Sequence, residues 1–168
     1  MYQRILVPVD GSPTSNAGLA EAIKLAKLTG ARLRVLHVVD ETAFLMGGDS
    51  FSAMPVNVFT LLKEAGQAVL ETARVTVDAA GIPVDTALFD SLSKRLCDRV
   101  AEEVKEWGAD VIVLGTHGRR GVGRMLLGSD AEQIVRTATV PVLLVRGTPV
   151  AVDQPASTSS ARAGSEPA

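Results

Sequence analysis

Val111-Ile112-Val113-Leu114-Gly115-Thr116-His117-Gly118, followed after nine further residues by Gly128-Ser129, is the stretch on which the reading of this chain turns. Four apolar residues in a row suit a strand buried on both faces, and such strands belong to parallel sheets. The glycines that end the run let a backbone come close to a ligand without a side-chain clash. Ser129 then opens a helical segment, whose first N–H groups have no partner inside the helix and attract anions. Arg119, Arg120 and Arg124 lie between the glycines and add positive charge. The pattern is that of a phosphate cradle and suits a nucleotide.

The rest of the chain repeats the strand-then-helix order. Ile5-Leu6-Val7-Pro8-Val9 is an apolar run stopped by Asp10-Gly11-Ser12-Pro13, in which Ser12 can cap a helix and Pro13 can occupy its first turn. Leu19, Ile23 and Ala26 follow at helical spacing, Gly30 ends that helix, and Leu33 to Val39 forms the next strand. Asp40 to Pro55 is a longer connection that includes Phe44, Leu45, Met46, Phe51 and Met54. Leu62, Ala65, Val69, Ala73 and Val77 predict a long helix with one apolar face, stopped by Gly81-Ile82-Pro83 before a strand over Val84 to Phe89. Leu96, Val100 and Val104 predict a third helix, with Trp107 packing at its end and Gly108 closing it. After the glycine loop come a short helix from Ser129 to about Thr137 and a fifth strand over Val140 to Val145. Alternation of this kind implies a parallel sheet covered on both faces, with ligands bound at the carboxyl ends of its strands. Asp10 and Gly115 both follow such ends.

Composition narrows the function. With 168 residues, 46% of them hydrophobic and 21% charged, the chain can bury one good core, and residues 1–147 read as a single domain. Residues 148–168 have almost nothing to bury and read as a disordered tail. A net charge of -2 gives no pull toward nucleic acid or anionic lipid. No stretch approaches the roughly 18 apolar residues needed to cross a bilayer. Ile5 to Val9 is too short for a secretory signal, so a cytoplasmic protein without nucleic-acid or membrane partners is expected. Cys97, the one cysteine, reads as a small residue on a helix face.

Taken together, these residues resemble the universal stress protein family, in the group with glycine, two residues, glycine, nine residues, glycine, then serine or threonine. Gly115, Gly118, Gly128 and Ser129 match that signature in full. The opening Ile5 to Asp10, Leu36-His37-Val38, and the closing Pro141 to Arg146 are also similar. The resemblance implies a three-layer α/β/α fold of the adenine-nucleotide-binding, Rossmann-like type, with a five-stranded parallel sheet in the order 3-2-1-4-5. It implies a homodimer paired through the last strand. Pro8, Val9 and Asp10 would flank an adenosine and Val38 would meet the adenine through its backbone. Gly115, Thr116, His117, Gly118, Arg119, Arg120 and Gly121 would wrap ribose and phosphates, and Gly128, Ser129, Asp130 and Ala131 would complete the phosphate end. ATP is the implied ligand, with ADP and AMP as competitors and a magnesium ion carried by the nucleotide. No catalytic or metal-ligating residue is assigned.

Simpler roles stand beside these. Ser129 with Glu132 has the spacing of a capping box, Asp10 with Gly11 that of a turn, and His37 reads as a packed core histidine. Asp130 suits the helix dipole but would repel a nearby phosphate. The function expected is a nucleotide-dependent, dimeric regulatory module acting in stress response. The alternatives are a nucleotide-free dimeric adaptor, or a slow ATP hydrolase or self-phosphorylating protein with Asp10 or His117 as its base.

Overall fold

The computed structural model describes residues 1–40, 58–91, 94–116 and 127–147. The long connection after Asp40, the centre of the glycine loop and the expected tail therefore lie outside the described residues. Five strands, β1 (Arg4–Pro8), β2 (Arg32–Val39), β3 (Val84–Asp90), β4 (Val111–Gly115) and β5 (Val142–Val145), alternate with four helices. These are α1 (Pro13–Thr29), α2 (Val58–Ala79), α3 (Leu96–Glu106) and α4 (Ser129–Thr137). All strand pairs are parallel, in the order β3-β2-β1-β4-β5.

The continuous apolar strands are explained by burial from both sides. Ile5, Val7, Leu33, Val35, Val111 and Val113 pack in a layer with α1 and α2. Leu6, Leu36, Ile112 and Leu114 point the other way and pack with residues of α3 and α4. Ile5, Leu6 and Val7 are wholly buried in the central strand, and each such side chain is worth about 1.5–3 kcal/mol. No described helix is long and apolar enough to cross a membrane.

Local chemistry sets the helix ends. Ser12 caps α1, its Oγ accepting from the Ser15 N–H at 3.2 Å, and Pro13 sits in the first turn. Gly30 closes the helix with φ +71°, the left-handed conformation that glycine adopts without strain. Gly108, with φ +73°, follows α3 in the same way.

The buried face of α2 is Gly66, Leu70, Ala73 and Val77, so Ala73 and Val77 lie inward as expected. Ala65 is exposed, while Leu62 and Val69 are half-buried. Gly66 lets the helix close onto the sheet. A Cβ there would lie 2.9 Å from Val39 Cγ2 and 3.0 Å from both His37 Cδ2 and Leu88 Cδ1. The first two turns of α2 contain no buried residue.

The fifth strand begins at Val142 rather than Val140. Pro141 has no N–H to offer a ladder, although its carbonyl accepts from the Ile112 N–H at 3.0 Å. Trp107 packs half-buried against the α3 and α4 layer, as expected, with the Arg34 guanidinium 5.8 Å from its ring centroid.

Candidate functional site

The order of the strands turns between β1 and β4, the point where a parallel sheet opens a crevice at its carboxyl edge. Counting on from Leu6↔Ile112 places Val9 level with Gly115, and counting on from Pro8↔Leu36 places Asp10 level with Val38. Pro8, Val9, Asp10, Val38, Gly115 and Thr116 are thus brought to one edge of the sheet. The β1 exit is pinned to β2: the Val9 N–H donates to the Leu36 carbonyl at 2.8 Å, and His37 Nδ1 lies 2.7 Å from the Val9 carbonyl. A carbonyl only accepts, so Nδ1 carries the proton. His37 is the packed core histidine that its apolar surroundings suggest.

Two helix N-termini meet this edge, and they differ. At α1 the Asp10 N–H donates to Ser15 Oγ at 3.2 Å, Asp10 Oδ1 accepts from the Ser12 N–H at 2.9 Å, and Ser12 Oγ accepts from Ser15. Asp10 therefore does build a turn, through Gly11 at φ +77°. The start of α1 is closed by its own side chains. At α4 the N-cap residue is Gly128, with no side-chain cap. The capping box expected of Ser129 and Glu132 does not form, because Ser129 is already the first helical residue. The Glu132 N–H bonds the Gly128 carbonyl at 2.9 Å, and the Glu132 carboxylate pairs with Arg136 at 3.0 Å. Ser129, Asp130 and Ala131 hold the positions whose N–H groups lack an acceptor within a helix. Ser129 and Asp130 are exposed, while Ala131 packs inward.

The Gly128 N–H itself is engaged inside the protein. It donates to the Thr116 carbonyl at 2.8 Å, while the Thr116 N–H donates to Val145 at 2.9 Å. These two bonds fasten the start of α4 to the exit of β4 and to β5. Gly115 also has an internal reason to be glycine, since a Cβ there would lie 2.5 Å from the Thr14 carbonyl oxygen. His117, Gly118, Arg119, Arg120, Gly121 and Arg124 lie outside the described residues.

On the α3 side of the edge, Val38 pairs with Phe89, and both are half-buried beside Leu96 and Leu127. The Arg99 guanidinium lies 4.9 Å from the Phe89 ring centroid. Sequence reasoning passed over this pair, because no local pattern links the end of β3 to the second turn of α3. Cys97 Sγ donates to Gln133 at 3.4 Å and ties α3 to α4. Burial and the Asp98 charge push the Cys97 thiol up, away from nucleophilic use. On the opposite face a groove of about 480 Å³ runs between α1 and α2 and touches Val9 and Gly11. Among the described residues no three His, Cys, Asp or Glu side chains group to hold a metal ion.

Comparison with known proteins agrees with this architecture. A model of the universal stress protein family matches residues 1–146. A universal stress protein of Methanocaldococcus jannaschii is 34% identical over 146 residues, covering 87% of this chain and 83% of that one. A solved universal stress protein family structure from Burkholderia pseudomallei superimposes with TM-score 0.66 at 29% identity, covering 85% of this chain and 95% of that one. An Archaeoglobus fulgidus universal stress protein, solved in complex with dAMP, has the same fold, with TM-score 0.61 at 22% identity and coverage of 86% and 98%. Sequence, strand order and these likenesses converge: the chain belongs to the universal stress protein family.

Proposed function

We propose that this protein is a nucleotide-binding regulatory module that takes an adenine nucleotide, ATP with its magnesium ion or else ADP or AMP, across the carboxyl ends of β1 and β4. The observation that carries this reading is the contrast between the two helix starts: α1 is closed by Asp10, Ser12 and Ser15, while α4 begins on Gly128 with no side-chain cap. Phosphates would lie at Ser129, Asp130 and Ala131 with the loop from Gly115 to Gly121. The base would extend over Pro8, Val9 and Asp10 to the backbone of Val38. The dAMP complex of the Archaeoglobus fulgidus protein supports a nucleotide of this class.

The regulatory output would be read by a partner or by a second copy of the chain paired along β5. No chemical step is assigned, since positioned charge serves a binder as well as a phosphoryl-transfer enzyme. Isothermal titration with ATP, ADP and AMP tests the reading. Saturable binding of at least one is expected, and silence for all three overturns it.

The nucleotide-free adaptor keeps one observation in its favour, the internal packing reason for Gly115. Gly118→Val separates the two readings. An adaptor keeps its partners after this change, whereas a nucleotide-dependent module loses both ligand and response.

A further inference from the structure

Arg34 of β2 stands between two carboxylates, one on the helix above it and one on the neighbouring strand. Its Nε lies 2.7 Å from Oε2 of Glu103 on α3, a contact of charge without an aligned N–H, and its guanidinium lies 5.8 Å from the Trp107 ring centroid. Asp85 of β3 is its register partner. Register partners on parallel strands present their side chains to the same face, so Asp85 stands one strand away on the α3 side of the sheet.

The two carboxylates differ in burial. The Glu103 side chain is 6% exposed and that of Asp85 41%, with Arg34 between them at 26%. Asp85 now accepts from Arg32 Nη2 at 2.8 Å, and a carboxylate has acceptor sites for a second guanidinium. Around Glu103, the charges of Glu102 and Glu106 on its own helix repel its ionised form. On β1 and beside β4, Arg4 Nη1 donates to the Trp107 carbonyl at 2.8 Å, and Asp110 accepts from the Gln3 and Arg4 N–H groups. On α4, Glu132 pairs with Arg136, and Asp130 stands exposed at the opposite end of the layer. Arg34 is thus the cation set against Glu103.

We propose that Arg34 is a proton-operated latch, which pairs with Glu103 while that carboxylate is charged and moves to Asp85 when Glu103 takes up a proton. Loss of the counter-charge leaves the guanidinium partly buried and unpaired, and an arginine can keep its stem packed while its head swings to a more exposed partner. The movement uncovers the Trp107 ring and frees this turn of α3 from β2. Burial raises the Glu103 carboxyl above the ordinary glutamate range, so the latch opens as the medium turns mildly acidic. A side chain with two stations is the bistable element that a pH sensor needs. The latch lies at the amino edge of the sheet and does not depend on the nucleotide reading.

The test reads the emission maximum of Trp107, the one tryptophan of the chain, in the full-length protein between pH ~7 and pH ~4. Wild type, Glu103→Gln and Asp85→Asn are compared, with melting curves at each pH to confirm the fold. Wild type is expected to shift to the red in one step as the pH falls, because the ring loses its cover. Glu103→Gln is expected to hold the red-shifted value at every pH. Asp85→Asn, which lacks the outer station, is expected to show no shift. A wild type without the step overturns the proposal, as does the same step in Glu103→Gln. An undiminished shift in Asp85→Asn also overturns it, since Trp107 would then sense the Glu103 proton without any movement of Arg34 to Asp85. Should Glu103→Gln fail to fold, Asp85→Asn decides.

Discussion

Gly18 of α1 and Gly115 of β4 meet backbone to backbone: a Cβ on Gly18 would lie 3.1 Å from the Gly115 nitrogen, and one on Gly115 would lie 2.5 Å from the Thr14 carbonyl oxygen. The contact lets α1 rest directly on the exit of β4. Gly115→Ala must move main chain, so a loss of about 1–3 kcal/mol is expected in urea denaturation. Wild-type stability in this variant would show that the helix can shift freely.

Glu103 carries a pH signature. Burial raises its carboxyl above the ordinary glutamate range, against the lowering effect of Arg34, and the charges of Glu106 and Glu102 add to the rise. Arg34 Nε and Glu103 Oε2 approach to 2.7 Å, yet neither atom has a hydrogen-bond partner among the described residues. The close contact is thus one of charge without an aligned N–H. The folded state holds this proton more tightly than the unfolded chain does, so the group's contribution to stability is fully present below its unfolded pKa and is lost as pH rises through the raised folded value. Glu103→Gln should match wild type near pH ~4 and gain on it toward pH ~7 in paired melting curves. A gap that moves against the glutamine variant with rising pH would mean that the Arg34 attraction dominates.

Asp130 stands exposed in the first turn of α4, where its charge favours the helix dipole and opposes a bound phosphate. Asp130→Asn is expected to tighten ATP binding by about fivefold while lowering helix stability by less than about 1 kcal/mol. Unchanged or weaker binding would place the phosphates away from this turn.

Among the described residues β5 is the last strand of the sheet, and its Leu143 and Leu144 are 39% and 38% exposed. Such an edge favours pairing with a copy of itself. Wild type should sediment as a dimer at micromolar concentration and Leu144→Glu as a monomer. A monomeric wild type removes the pairing.

What could be read from the residues divides along physical lines. The strands and their order of appearance were legible, because burial on both faces writes unbroken apolar runs such as Val111 to Leu114. The cap of α1 was legible too, since Ser12 and Pro13 act within one turn. The face of α2 was legible at Ala73 and Val77 but not at Gly66, whose close approach to His37, Val39 and Leu88 is made only in the folded sheet. At α4 the helix from Ser129 to Thr137 was legible, but the box suggested by Ser129 and Glu132 does not form, because Gly128 is the cap and Ser129 the first helical residue. The stacking of Arg99 on Phe89 left no trace in local sequence.

Backbone amide NMR during an ATP titration separates phosphates bound at the start of α4 from phosphates bound at the closed start of α1. Saturable shifts at Ser129, Asp130 and Ala131, together with Asp10 and Val38, are predicted, with Thr14 and Ser15 little changed. Still amides at Ser129 to Ala131 at saturating ATP, or shifts confined to the start of α1, would contradict phosphate binding at α4.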